Sequence, residues 1–163
     1  MRASGAGARE GEWIGWWLPL FPLTYSIHIL EEYVAGFPAR MSELTGFSVS
    51  QRAFLVANAV FFGLMVGAVS WVRLRGGPRA LGVALATIVL INAALHVLAT
   101  IVSAAYSPGL VSALLLWAPL GGFAIAQARG ELPGTAFLAG VLAGIIIHAI
   151  VPLVGLTFAF ALA

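Results

Sequence analysis

The chain contains no cysteine, no lysine and no aspartate, and only 9% of its 163 residues are charged. Each absence excludes something. Without cysteine there is no disulfide framework, no thiolate metal site and no thiol nucleophile. With so little charge, a 61% hydrophobic content and a mean hydropathy of +1.04, the chain has too little polar surface to cover a water-soluble domain of this size. A soluble enzyme module is therefore excluded. All eight basic residues are arginine, and they fall between apolar runs. The pI near 9.7 then follows from membrane orientation, not from a nucleic-acid-binding face, and no nucleic-acid partner is expected.

What remains is apolar sequence in long runs. The expected fold is all-α, a polytopic membrane helical bundle of five transmembrane helices. Residues 1–12 are small, polar and charged, and read as a flexible cytoplasmic tail. Arg2 and Arg9 imitate a signal peptide, but the following run is long and has no small-residue cleavage site, which favours an uncleaved span. Residues 13–163 read as a single transmembrane domain with spans at about 13–33, 51–72, 80–104, 110–127 and 135–157. Each is near the ~20 residues that a bilayer requires. Trp13, Trp16 and Trp17 are expected at headgroup level. Residues 36–50 read as an extramembrane loop, and Ser48 and Ser50 offer caps for the second span. Pro19 and Pro22 fall in the first turns of span one, Pro119 inside span four, and Pro152 at a kink in span five.

Arginine placement predicts the orientation. With the 73–79 loop inside, Arg2, Arg9, Arg73, Arg75, Arg79 and Arg129 are cytoplasmic, and only Arg40 and Arg52 are outside. The positive-inside rule then gives N-in, C-out. The protein is expected to be integral to a membrane and multi-pass, in the plasma membrane if the cell is prokaryotic.

Against this background the stretch His28-Ile29-Leu30-Glu31-Glu32 is anomalous, because ionisable groups at membrane depth cost several kcal/mol unless paired, protonated or ion-bound. Helical spacing places both carboxylates beside the imidazole, with Tyr25 about one turn earlier. At ~1.5 Å per residue, His28, Asn58, Asn92, His96 and His148 all fall about 20 Å above the inner surface, with Glu31 and Glu32 a turn higher. One polar slab in the outer half of the bundle is expected.

Three motifs in order, His28-x-x-Glu31-Glu32, Asn92-x-x-x-His96 and Tyr106-x-Pro108-Gly109, resemble the signatures of the HXXEE-domain family of small membrane proteins. The resemblance runs over roughly residues 20–155. It implies that His28, Glu31, Glu32, Asn92, His96 and the 106–109 turn act as one set. The family supplies no reaction.

The residue types point first to a metal-dependent membrane enzyme. His28, Glu31, His96 and His148 are the expected ligands of Zn²⁺ or Fe²⁺. The second carboxylate, Glu32, would act as general base, and Asn92 would orient a ligand or an oxyanion. Tyr106 joins the catalytic set, and Tyr25 and Asn58 are further candidates. The expected reaction is hydrolysis of a lipid-like or amphipathic substrate. Three alternatives stand beside it: a metal-free His/Glu isomerase or cyclase of an isoprenoid or sterol-like molecule, a proton or cation transporter, and a haem or quinone site on His96 and His148. The expected partners are membrane lipids and an apolar or amphipathic small molecule. A homo-oligomer is compatible with the composition.

Overall fold

Proline and glycine set the ends of the elements. The computed structural model describes residues 15–161. The expected tail, residues 1–12, and Trp13 lie outside them. Six helices follow in order: α1 (Leu20–Val34), α2 (Phe37–Thr45), α3 (Gln51–Arg75), α4 (Ala80–Ser103), α5 (Leu110–Glu131) and α6 (Gly134–Ala161). No strand occurs among the described residues. In α3, α4, α5 and the Gly134–Gly155 part of α6, length and apolar composition suffice to cross a membrane, and the chain is thus a helical membrane protein.

The first expected span is shorter than its apolar run. Pro19 sits at the N-cap of α1, and Pro22 falls in the first turn, where a missing N–H costs no helical hydrogen bond. The regular helix therefore starts at Leu20 and not at Trp13. Its 15 residues reach about 22 Å, less than the ~30 Å of a hydrocarbon core. Trp16 and Trp17 separate: Trp16 is 69% exposed, whereas Trp17 is 2% exposed and meets Phe21 edge-on at 5.9 Å. Trp17 is thus a core residue and not part of a headgroup belt.

The segment expected as a loop carries α2. Gly36 and Gly46 bracket it with left-handed backbone (φ +80° and +72°), and Pro38 in its first turn presets the helical φ. An Arg40–Glu43 pair at 3.3 Å lies on its surface. The expected serine cap is present, since Ser50 Oγ accepts from Ala53 N–H at 3.1 Å and α3 begins at Gln51.

Helix α4 is the hub. Gly82 to Thr87 are all buried, because α3, α5 and α6 pack around it. Close approach of α6 depends on Gly140 and Gly144: a Cβ at either would stand 2.6 Å from an α4 atom. Helix α1 packs on α3 and α5. Helix α6 continues through Pro152.

Helix α5 is not uniform. It opens as an α-turn (Leu110–Ser112), passes through a π-turn (Ala113–Trp117) and returns to α-helix (Ala118–Glu131). Pro119 accounts for the irregularity, since its ring has no N–H and would collide with the carbonyl of Leu115 in a regular helix. A wider turn just before it relieves that conflict.

Candidate functional site

The last two turns of α1 carry the polar cluster. His28 is fully buried and Glu32, one turn later on the same face, is 5% exposed. Residue 96 enters the same space from α4, as a histidine 4% exposed. The three side chains converge through single atoms. Glu32 Oε1 is 3.5 Å from His28 Nε2 and 3.4 Å from His96 Nε2. One ligand atom from each residue lies within 4.8 Å of the others.

Both imidazoles are held from behind. His28 Nδ1 is 2.8 Å from Ser112 Oγ, and His96 Nδ1 is 3.0 Å from Ser107 Oγ. Ser112 Oγ–H donates to Gly109 O at 3.3 Å, so its oxygen is left to accept from His28 Nδ1–H. With the serine proton on Gly109 O, a neutral His28 carries its own proton on Nδ1 and turns the lone pair of Nε2 toward Glu32. At 3.5 Å the approach falls at the limit of hydrogen-bond length, and Nε2 has no hydrogen-bond partner. A buried lone pair facing a buried carboxylate is an arrangement that a cation between them completes.

The loop between α4 and α5 closes the site. Thr100 Oγ1 donates to His96 O and accepts from Ser107 N–H, which ties the loop to the end of α4. Gly109 then passes directly over the cluster with φ +97°. A Cβ there would stand 2.8 Å from Cε1 of both His28 and His96 and 3.0 Å from Glu32 Cγ. Only glycine fits, for space and for backbone alike.

The two adjacent glutamates have separate tasks. Glu31 faces the start of α5, where Oε2 accepts from Ser112 N–H at 2.7 Å and Oε1 from Val111 N–H at 3.0 Å. Tyr106 O–H donates to the same Oε1. This is the capping of a helix N-terminus by a carboxylate from another helix. Burial first, and then the adjacent Glu31 carboxylate, push the Tyr106 phenol up to about 12, which keeps it a donor.

The structure gathers only part of the expected ligand set. Glu31 is not in the cluster; its oxygens are taken by three donors, and Glu32 occupies the position expected of it. His148 is half-buried on α6, a helix that packs on α3 and α4, and is not part of the cluster. Asn92, half-buried one turn before His96, makes no side-chain hydrogen bond among the described residues. Asn58 lies away from the imidazoles: its Oδ1 accepts from Tyr25 O–H at 2.7 Å, and its Nδ2 donates to Phe54 O. The sequence reading placed Ser107 within the 106–109 turn without giving it a role, and it missed Ser112 and Trp117. Trp117 stacks on His28 with ring centroids 3.7 Å apart. Ser107 gave no signal beyond being the variable position of the Tyr106–Gly109 motif, and Ser112 none beyond its place at the start of a span.

Comparison with curated proteins finds no match, and comparison with solved structures finds none either. A family described as proteins of unknown function with an HXXEE motif matches residues 19–124. The match covers His28, Glu32, His96 and both serines behind the imidazoles, and it ends before α6 and His148. With that much of its length matched, including every residue of the buried cluster, the chain belongs to the HXXEE family.

Proposed function

We propose that His28, Glu32 and His96 bind one divalent metal ion, and that the protein is a membrane-embedded metal-dependent enzyme acting by hydrolysis on a lipid-like or amphipathic substrate. The observation that carries this reading is the convergence of two imidazole Nε2 atoms on one carboxylate oxygen, 3.4 and 3.5 Å away, with both Nδ1 atoms engaged by serines. Tetrahedral zinc with ligands at ~2.0–2.2 Å separates its ligand atoms by roughly 3.3–3.6 Å. The two spacings from Glu32 fall in that range, and the two imidazole ligand atoms lie within 4.8 Å of each other. Two histidines and a glutamate leave a fourth position open, as hydrolytic zinc sites require. A bound metal would supply a Lewis acid and activate water. The protein's own part is to orient the imidazoles through Ser107 and Ser112, and to keep the space above them clear at Gly109.

The surroundings support an amphipathic substrate. An apolar groove of about 380 Å³ runs between the N-terminal part of α1 and α5, from Trp16 to Thr24. Thr24 is one turn before His28 on the same face of α1. An amphiphile with its polar group at the cluster and its chain in the membrane fits that placement.

The proposed topology is five spans, with α1 and the residues before it as the first, N-in and C-out. The cluster then lies toward the outer face, at the C-terminal ends of α1 and α4. A second reading is supported by the same distances: a proton in place of the metal, shared among His28, Glu32 and His96, would serve acid–base isomerisation without a metal.

Metal analysis of the purified protein by mass spectrometry, wild type beside His96→Ala, separates the two. Near one equivalent of zinc or iron, lost in the variant, is expected. Chelator-free wild type without metal, and without affinity for added Zn²⁺, would sink the metal reading and leave the proton reading standing.

A further inference from the structure

Two residues singled out in the sequence, Tyr25 and Asn58, have no part in the proposed chemistry, and the irregular turn of α5 lies beside it. They belong together. Ser112 and Trp117 are five residues apart, and on a regular α-helix they would diverge by about 140°. The π-turn Ala113–Trp117 carries i→i+5 hydrogen bonds, which bring residues five apart nearly into line. Both therefore reach the same ring. Ser112 Oγ meets the Nδ1 edge of His28 at 2.8 Å, and the Trp117 indole lies against the imidazole face at 3.7 Å and 29°.

Trp117 is braced in turn. Tyr25 stacks on it at 6.1 Å and 24°, and the Tyr25 hydroxyl is fixed by Asn58, whose amide is locked by Phe54 O. Phe62 covers the outer side of Tyr25 at 6.4 Å. Trp117 is 2% exposed and its Nε1–H has no hydrogen-bond partner, so a buried donor is left unmade at this place. Packing alone would be served as well by leucine, without that cost and without a flat face for the imidazole.

We infer that the π-turn is a clamp on His28: Ser112 fixes its tautomer and Trp117 its plane, with Tyr25 and Asn58 as the brace, so that Nε2 is held facing Glu32 and His96. Ser112, Trp117, Tyr25 and Asn58 are positioning residues that act through His28. The use of the clamp for metal binding rests on the reading above, but the clamp itself can be tested without metal.

The test uses the full-length protein in detergent, with Trp117→Leu, Trp117→Phe and Ser112→Ala beside wild type. Long-range ¹H–¹⁵N correlation spectra of the imidazole rings, recorded metal-free, report the His28 tautomer. Wild type is expected as a single Nδ1–H form. Ser112→Ala should give a mixture of tautomers, Trp117→Leu should do so in part, and Trp117→Phe should stay close to wild type. Titration with Co²⁺ or Zn²⁺ is the second arm. Loss of an outer partner of a ligating histidine lowers metal affinity ~10–100-fold, and this is expected for Ser112→Ala and Trp117→Leu but not Trp117→Phe. Unchanged tautomers in both Ser112→Ala and Trp117→Leu would overturn the clamp. Wild type with one His28 tautomer but no metal affinity would overturn the metal reading alone.

Discussion

At the scale of single residues, the cluster separates look-alikes. Three histidines and two adjacent glutamates are equivalent in composition, yet only His28, His96 and Glu32 share one buried space. Replacing His96 or Glu32 (His96→Ala, Glu32→Gln) should lower bound metal from near one equivalent to a small fraction, because two remaining ligands hold a borderline cation poorly. His148→Ala should keep full metal content. Metal loss in His148→Ala equal to that in His96→Ala would mean that α6 contributes a ligand. Gly109 offers a sharper test of the geometry. Gly109→Ala would force φ +97° on an alanine and set a methyl 2.8 Å from both imidazoles. The strain should cost about 1–3 kcal/mol, read as a lower unfolding midpoint in detergent, and metal binding should fail as well. A Gly109→Ala protein that binds metal normally would show the loop to be further from the cluster than described.

At the scale of elements, the start of α5 depends on α1. Glu31 accepts from the N–H groups of Val111 and Ser112 and from Tyr106, and so completes a helix N-terminus that has no side-chain cap of its own. Glu31→Gln removes the charge and one acceptor, and should destabilise by about 1–2 kcal/mol. Tyr106→Phe should cost less, about 0.5–1.5 kcal/mol, since one neutral donor is lost. Denaturant or thermal unfolding in mild detergent would measure both, and equal stability of Glu31→Gln and wild type would deny the cap. This division of labour was not legible in the sequence. Both glutamates follow His28 at helical spacing, which does not separate them, whereas burial does: Glu31 is the half-exposed one and Glu32 is sequestered. The apolar runs, the Ser50 cap and the convergence of His28 with His96 were legible, because length, capping chemistry and depth are local or one-dimensional properties. Helix α2 was not, since its Gly and Pro punctuation reads as a loop until Gly36 and Gly46 are seen as its two ends. His148 shares the depth of His96, but depth says nothing about which face of α6 meets the site.

At the scale of the whole molecule, the arginines around α3 to α6 predict an orientation without help from α1. Helices α3 to α6 alternate in direction, so the α3–α4 and α5–α6 connections lie on one face. That face holds Arg73, Arg75, Arg79 and Arg129, while Arg40 and Arg52 belong to the other. The arginine-rich face is expected to be cytoplasmic. The buried cluster is built from the C-terminal ends of α1 and α4 and the N-terminal end of α5, so in that expected orientation it would lie near the opposite, outer face. Reporter fusions should therefore read inside at Gly76–Gly77 and outside at the C-terminus. A fusion at the N-terminus should read inside, because about 22 Å of α1 can complete a crossing only with the residues before Leu20. An outside signal at Gly76–Gly77 would invert the protein and turn the cluster toward the cytoplasm. An outside signal at the N-terminus alone would leave the four-helix orientation intact and make α1 a helix that enters from the outer face without crossing.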